Sequence, residues 1–336
     1  MTFGATILDA TGLRLTKDEI AFFRDVNPFG FIVFARNLDT PDQIRALCDD
    51  FRNAVGRDAL ITIDQEGGRV QRLRPPLARD WPAPLDFVSG LSNPEDAETA
   101  MRLRYRLIAH ELRSYGIDSN CAPMVDVVGP NTHDFLKNRC YGTSPDVVAG
   151  LGRAVADGLL AGGVLPVLKH VPGHGAADAD SHFDLPRVSD APDLLAARDF
   201  APFKALNDLP LGMTAHLVFD AIDPVPATLS AKMIALIRTQ IGFDGLIMTD
   251  DISMKALKGD LATLSREAIA AGCDVILHCN GSIEERQQVA QAAGQMGAAA
   301  QIRAEAAMTW RRDPEPLDIK GAEAKLTAIM AGQGDG

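Results

Sequence analysis

LKHVPGHGAADADSH, residues Leu168–His182, is the stretch from which the rest of the chain can be read. Lys169, His170, His174, Asp178, Asp180 and His182 crowd into it, interleaved with glycine and alanine. The run LPVLK that leads into it reads as a buried strand, and nothing after Val171 has a period. A strand that ends in charge and runs on into a long Gly/Ala/Asp/His loop is poor material for a core. It is a good way to hang titratable groups over a cleft.

Other strands end in the same manner. Short apolar runs lie at Ala5–Leu8, Gly30–Phe34, Leu60–Ile63, Asp118–Ala122, Pro166–Lys169, Gly212–Thr214, Gly245–Met248 and Asp274–Leu277. Most are too apolar for a one-sided antiparallel strand, which would alternate, so a buried parallel sheet is indicated. Helical patterns separate them. Thr40 and Pro41 give an N-cap and first-turn pair, followed by Ile44, Leu47, Cys48, Phe51 and Val55 on one face. Ser144 and Pro145 repeat the signal ahead of Val147, Val148, Leu151, Val155 and Leu159, and Ser230 opens a helix with Met233, Ile234 and Ile237. Long patterns from about Glu95 to Tyr115 and from Ile283 to Met308 are also expected to be helical.

An alternation of this length fits a single (β/α)8 TIM-type barrel with parallel strands, and pattern alone fits an open doubly wound sheet nearly as well. Polar residues favour the barrel. Asp64, Glu66 and Arg69 follow the third strand, Lys169 and His170 the fifth, His216 the sixth, and Asp250 and Asp251 the seventh. A barrel gathers all of these at one mouth. No low-complexity linker divides the chain, so one catalytic domain over residues 1–336 is expected, with the tail after about residue 312 packed on it or flexible.

Composition narrows the class. With 46% apolar and 23% charged residues among 336, the chain is of ordinary globular type. Its net charge of −12 argues against a nucleic-acid partner, which needs a basic face. The five cysteines, Cys48, Cys121, Cys140, Cys273 and Cys279, are odd in number, form no CxxC pair and lie largely in apolar patterns, which points to a reducing compartment. Neither a signal peptide nor a membrane span is read, so a cytoplasmic location without membrane partners is expected.

Each polar candidate has a plain alternative. Asp250, in GLIMTDDISM, is either a helix cap or a reactive group; Asp251 as the cap would leave Asp250 free for the mouth. Asp180 and His182 flank Ser181, and a carboxylate two residues from an imidazole can orient it for acid and base work, though such loop pairs are often only solvated. His170 and His174 have an i, i+4 spacing that suits zinc on a helix, but Pro172 and Gly173 break any helix there, and no metal or cofactor is expected. Asp64 could accept bonds from two sugar hydroxyls, with Arg69 and Arg72 reaching back across the Gly67–Gly68 turn; a salt-bridged loop is the rival. Arg139, Lys169 and His170 are possible further donors. His216 is a cleft group or a satisfied core histidine, while His110 and His278 read as structural.

The segments IDQEGGRVQRL, CAPMVDV, NRCYG, KHVPGHGAADADSH, TAHLVF and MTDDISM, in that order, resemble glycoside hydrolase family three. The likeness is greatest to its single-domain bacterial β-N-acetylglucosaminidases of the peptidoglycan-recycling type, and it runs from about Asp64 to Met254. Val171 departs from the phenylalanine usual in that family and removes no polar group. The resemblance implies Asp250 as nucleophile and His182 as general acid/base held by Asp180. It also implies sugar contacts from Asp64, Arg139, Lys169 and His170, with Arg72 and His216 as further candidates.

It implies a retaining hydrolysis of a small N-acetylglucosamine-containing muropeptide. Two-domain relatives take their acid/base carboxylate from a second domain; with no room for one here, a His–Asp pair on a long loop would supply the proton. Gly173, Gly175 and the alanines lead to the expectation that this loop moves between turnovers. Rival readings are a phosphorylase, a β-glucosidase or xylosidase of the same fold, and a non-catalytic sugar-binding protein. The natural aglycone and the oligomeric state are not legible, a monomer being the default.

Overall fold

The computed structural model describes residues 2–177 and 185–332. Eight parallel strands form one sheet: β1 (Gly4–Leu8), β2 (Pro28–Val33), β3 (Leu60–Ile63), β4 (Ser119–Asn120), β5 (Leu165–Val171), β6 (Leu211–Thr214), β7 (Leu246–Met248) and β8 (Ile276–His278). From β1 to β7 each pairs with its sequence neighbour, and β8 pairs with β1 with Leu8 opposite His278. The seam between β7 and β8 is closed by a parallel bridge from Met248 to Val275 and a 3.0 Å bond from the Thr249 N–H to the Val275 carbonyl. A sheet whose last strand meets its first leaves no edge, so the fold is the (β/α)8 barrel rather than the open sheet.

All eight expected strands are present, with ends displaced by a few residues. The fourth is the shortest because Pro123 has no N–H to give to the ladder. Pairing resumes beyond it, where Met124 bridges Lys169.

Around the barrel lie α1 (Lys17–Val26), α2 (Pro41–Val55), α3 (Pro94–Ser114), α4 (Pro145–Ala161), α5 (Leu261–Ala271), α6 (Ile283–Ala293), α7 (Ala298–Met308) and α8 (Ile319–Met330), with shorter helices between. Thr40 accepts the Gln43 N–H as α2's cap, and Ile44, Leu47, Cys48, Phe51 and Val55 are buried as the spacing required. Ser230 caps the helix Ala231–Leu236 through the Met233 N–H. Val147 departs from expectation, 49% exposed on α4, while Val148, Leu151, Val155 and Leu159 face inward.

The pattern expected to run unbroken from Ile283 to Met308 is two helices. Gly294, at φ 65°, ends α6, and its carbonyl takes the Ala5 N–H, tying the break to β1. The tail packs on: α8 lies against α3, and Glu323 on α8 pairs with Arg79.

Charged residues at the N-terminal ends of the strands are structural plugs. Asp118 meets Arg52 and Arg311, and Asp274 meets Arg238 and Arg303. The opposite end carries a different chemistry.

Candidate active site

At the C-terminal ends of the strands a cavity of about 220 Å³ is walled by Asp64, Arg72, Arg139, Lys169, His170, His174 and Asp250 among polar groups, and by Phe34, Met213, Met254 and Leu277 among apolar ones. Residues from β2 to the end of β8 therefore meet at one mouth, and Asp250 faces that mouth rather than the interior.

Lys169, near the end of β5, has its Nζ 3.0 Å from Asp64 Oδ1 and 2.6 Å from Glu66 Oε1. Arg139 grips Glu66 with two parallel bonds, Nε to Oε2 at 2.9 Å and Nη2 to Oε1 at 2.8 Å. Arg72 Nη2 reaches Asp64 Oδ2 at 2.9 Å, while its guanidinium lies 5.2 Å from the Phe34 ring centroid. Lys169, Glu66 and Arg139 are all nearly inaccessible to solvent. Burial alone would push the Glu66 carboxyl up, but Arg139 and Lys169 hold it down to about 2. Asp64 is held well below the ordinary carboxylate range in the same way, against its burial, by Lys169 and Arg72. The lattice is thus two carboxylates locked as anions by three cations.

Local backbone makes this possible. The strand after Asp64 turns into a hairpin in which Gln65–Gly67 pairs with Val70–Gln71. Gly67 is at φ 110°, and a Cβ there would strike the Arg104 guanidinium and the Pro82 carbonyl. Arg104 donates to the Glu66 carbonyl at 2.7 Å and so fixes the turn. Arg69 does not reach Asp64 as expected; it donates to the Phe135 carbonyl and stacks on that ring.

A second cluster was not foreseen. Asp126, beyond β4, is fully buried and has Oδ2 2.7 Å from His170 Nδ1, while its Oδ1 accepts the His174 N–H at 2.6 Å. Despite burial, the His170 and His174 contacts hold Asp126 below its usual value. A carboxylate can only accept, so Nδ1 carries the proton of that bond. The signal was in the sequence, a lone aspartate in CAPMVDV just past a strand end. Asn280 on the cavity wall was also missed; its N–H is held by Asp9 Oδ2 at 2.8 Å.

Two expected roles change. Asp251 caps no helix: α5 begins at Leu261 under Asp260, and Asp251 instead accepts from the Ser253 N–H and hydroxyl at 3.0 and 2.8 Å. Its own N–H donates to Asp250 Oδ1 at 2.8 Å, so the Asp251 turn holds the Asp250 carboxylate. His216 is not on the cavity wall. It is buried behind it, with Nδ1 2.7 Å from Thr228 Oγ1 and Nε2 3.1 Å from the Asp251 carbonyl. Both its ring nitrogens thus have protein partners, the arrangement of a satisfied histidine.

The described part of the long loop is fastened down. A Cβ on Gly175 would lie 1.9 Å from the Val127 carbonyl oxygen, and the Thr132 hydroxyl donates to the Gly175 carbonyl. Glycine there serves close approach of two backbones. Asp178, Asp180 and His182 lie outside the described residues. Among the described residues no group of three or more His, Cys, Asp or Glu side chains is gathered as a metal cage.

A closed parallel barrel with a polar cavity at the strand C-termini is a scaffold that glycoside hydrolases share with many other enzymes. Residues 8–309 match the glycosyl hydrolase family 3 N-terminal domain, and the chain belongs to that family. It is 36% identical to a β-hexosaminidase of Alkalilimnicola ehrlichii over 83% of this chain and 82% of the relative. A β-hexosaminidase of Methylococcus capsulatus is 38% identical over 82% of each. Among solved structures, NagZ from Neisseria gonorrhoeae in complex with N-trifluoroacetyl-D-glucosamine superposes with a TM-score of 0.80 at 28% identity, covering 98% of this chain and 99% of that one.

Proposed function

We propose that this glycoside hydrolase is a retaining exo-β-N-acetylglucosaminidase that removes terminal N-acetylglucosamine from peptidoglycan-derived fragments. The observation that carries the reading is Asp250, a carboxylate oriented by the Asp251 N–H on a cavity that the Lys169–Asp64–Arg72 lattice also lines. The β-hexosaminidase relatives and the glucosamine-derivative complex of the gonococcal protein support the sugar.

In this reading the Asp250 carboxylate attacks the anomeric carbon as the bond to the leaving oxygen breaks, and His182 gives that oxygen its proton. Water, deprotonated by His182, then cleaves the glycosyl ester and restores both groups. Asp180 raises the basicity of His182. Asp64, Arg139, Lys169, His170 and Arg72 bind the sugar. The five buried free cysteines support a reducing, cytoplasmic setting, and no described helix is long and apolar enough to cross a membrane.

The test is hydrolysis of nitrophenyl N-acetyl-β-glucosaminide by the wild type, Asp250→Ala and His182→Ala. Asp250→Ala should lose about four orders of magnitude or more in kcat. His182→Ala should lose far less with nitrophenol than with a sugar leaving group, which needs the proton. Equal losses with both leaving groups would remove His182 from the acid role. Product identity with and without phosphate separates hydrolysis from phosphorolysis.

A further inference from the structure

His174 is an ionisable side chain on the cavity wall for which the mechanism above has no use. It is 3% exposed, and its backbone N–H is anchored on Asp126. Its ring stands edge-on to His170 at 5.8 Å between centroids. Neither Nδ1 nor Nε2 has a hydrogen-bond partner among the described residues. Every other charged or imidazole group on that wall is engaged: Asp64 by Lys169 and Arg72, Arg139 by Glu66, His170 by Asp126, Asp250 by the Asp251 N–H.

Buried polar atoms without partners are costly, and proteins keep them where a ligand completes them. Burial pushes the His174 imidazole down to about 4, so the ring is neutral in ordinary buffers. A neutral imidazole offers one donor and one acceptor in a single plane. A sugar hydroxyl is likewise both donor and acceptor, and a 2-acetamido group carries an N–H and a carbonyl. Carboxylates and ammonium groups elsewhere on the wall supply only one half of such an exchange. The chain also places the ring firmly, since Gly173 and Gly175 are packed against Asp199 and Val127.

We infer that His174 is a specificity-determining residue, its ring nitrogens hydrogen-bonding one hydroxyl or the acetamido group of the sugar held against Asp250. The inference rests on the proposed sugar-binding role of the cavity. A residue that satisfies its only partners through substrate discriminates strongly against an analogue lacking that group, because the ring is then left unpaired.

The experiment measures kcat/KM for wild type, His174→Phe and His174→Gln on five nitrophenyl β-glycosides: the N-acetylglucosaminide, its 3-deoxy, 4-deoxy and 6-deoxy forms, and the glucoside that lacks the acetamido group. Each deoxy penalty is the ratio to the parent sugar on the same enzyme, so a fraction of unfolded enzyme cancels. The expected result is one penalty that shrinks roughly 10- to 100-fold in His174→Phe and is partly restored in His174→Gln, the others holding steady. All four penalties unchanged within about twofold would overturn the inference, whatever the general loss of rate. Wild-type enzyme inactive on every one of these sugars would instead sink the proposed function.

Discussion

Asp126 Oδ2 lies 2.7 Å from His170 Nδ1, a carboxylate after the fourth strand setting the ring of an imidazole near the end of the fifth. The bond fixes the tautomer of a cavity-wall histidine and keeps an ion in a place where no water reaches it. Asp126→Asn replaces an acceptor with an amide that can turn its N–H toward the ring. The expected outcome is a drop in kcat/KM of roughly 10- to 100-fold with the fold intact, read by steady-state kinetics beside circular dichroism. Wild-type kinetics in that variant would show that His170 needs no such partner.

Lys169 neutralises Asp64 and Glu66 together. Lys169→Met removes that charge and leaves the buried Glu66 and the part-buried Asp64 with only Arg139 and Arg72. Stability should fall by about 3–5 kcal/mol in urea denaturation. A fall under 1 kcal/mol would mean the lattice admits water or relaxes freely.

Stability should decline in two stages on acidification. Burial lowers the folded pKa of His174 to about 4 and lowers that of His216, so the unfolded chain takes up these protons first. A group with a depressed folded pKa contributes stability above its unfolded value and loses it as pH falls towards the folded one. The first stage therefore spans about pH 6.5 to 4, on the order of 3 kcal/mol for His174 at 1.4 kcal/mol per pH unit. Glu66, held at about 2 against its burial by Arg139 and Lys169, adds the second stage below about pH 4.5. Urea titrations from pH 7 to 3 check this. His174→Phe should flatten the first stage and leave the second.

His216 joins Thr228 to the Asp251 carbonyl and so braces the turn that carries Asp250. His216→Phe should lower kcat by about tenfold or more through misplacement of that carboxylate, with KM nearly constant. It should leave every deoxy-sugar penalty unaltered, unlike His174→Phe. A changed penalty would return His216 to the cavity wall.

Most of the eight strand runs could be read directly because they are short, nearly continuous apolar stretches, as burial on both faces requires; Asp118–Ala122, DSNCA, is the exception. Strand ends were legible for the same reason: Asp64, Lys169, His170 and Asp250 lie at or just past the ends of such runs, and a barrel gathers its strand C-termini at one mouth. The helix starts at Thr40 and Ser230 were local too, since a cap and its N3 amide lie three residues apart. Ile283–Met308 misled because Gly294 breaks a pattern of otherwise helical residues only where its carbonyl is wanted by Ala5.

Other facts depended on what approaches from far along the chain. Whether Arg69 turns to Asp64 or to Phe135, and whether Asp251 caps a helix or holds its neighbour, is chosen by groups tens of residues away. Residue types and order carried the strands, the barrel and the pool of reactive side chains. Closure alone paired Asp126 with His170, sent His216 behind the wall, and left His174 on the cavity wall with ring nitrogens that have no protein partners among the described residues. Pairings between side chains separated by dozens of residues are decided by the geometry of the closed sheet, which local sequence does not encode.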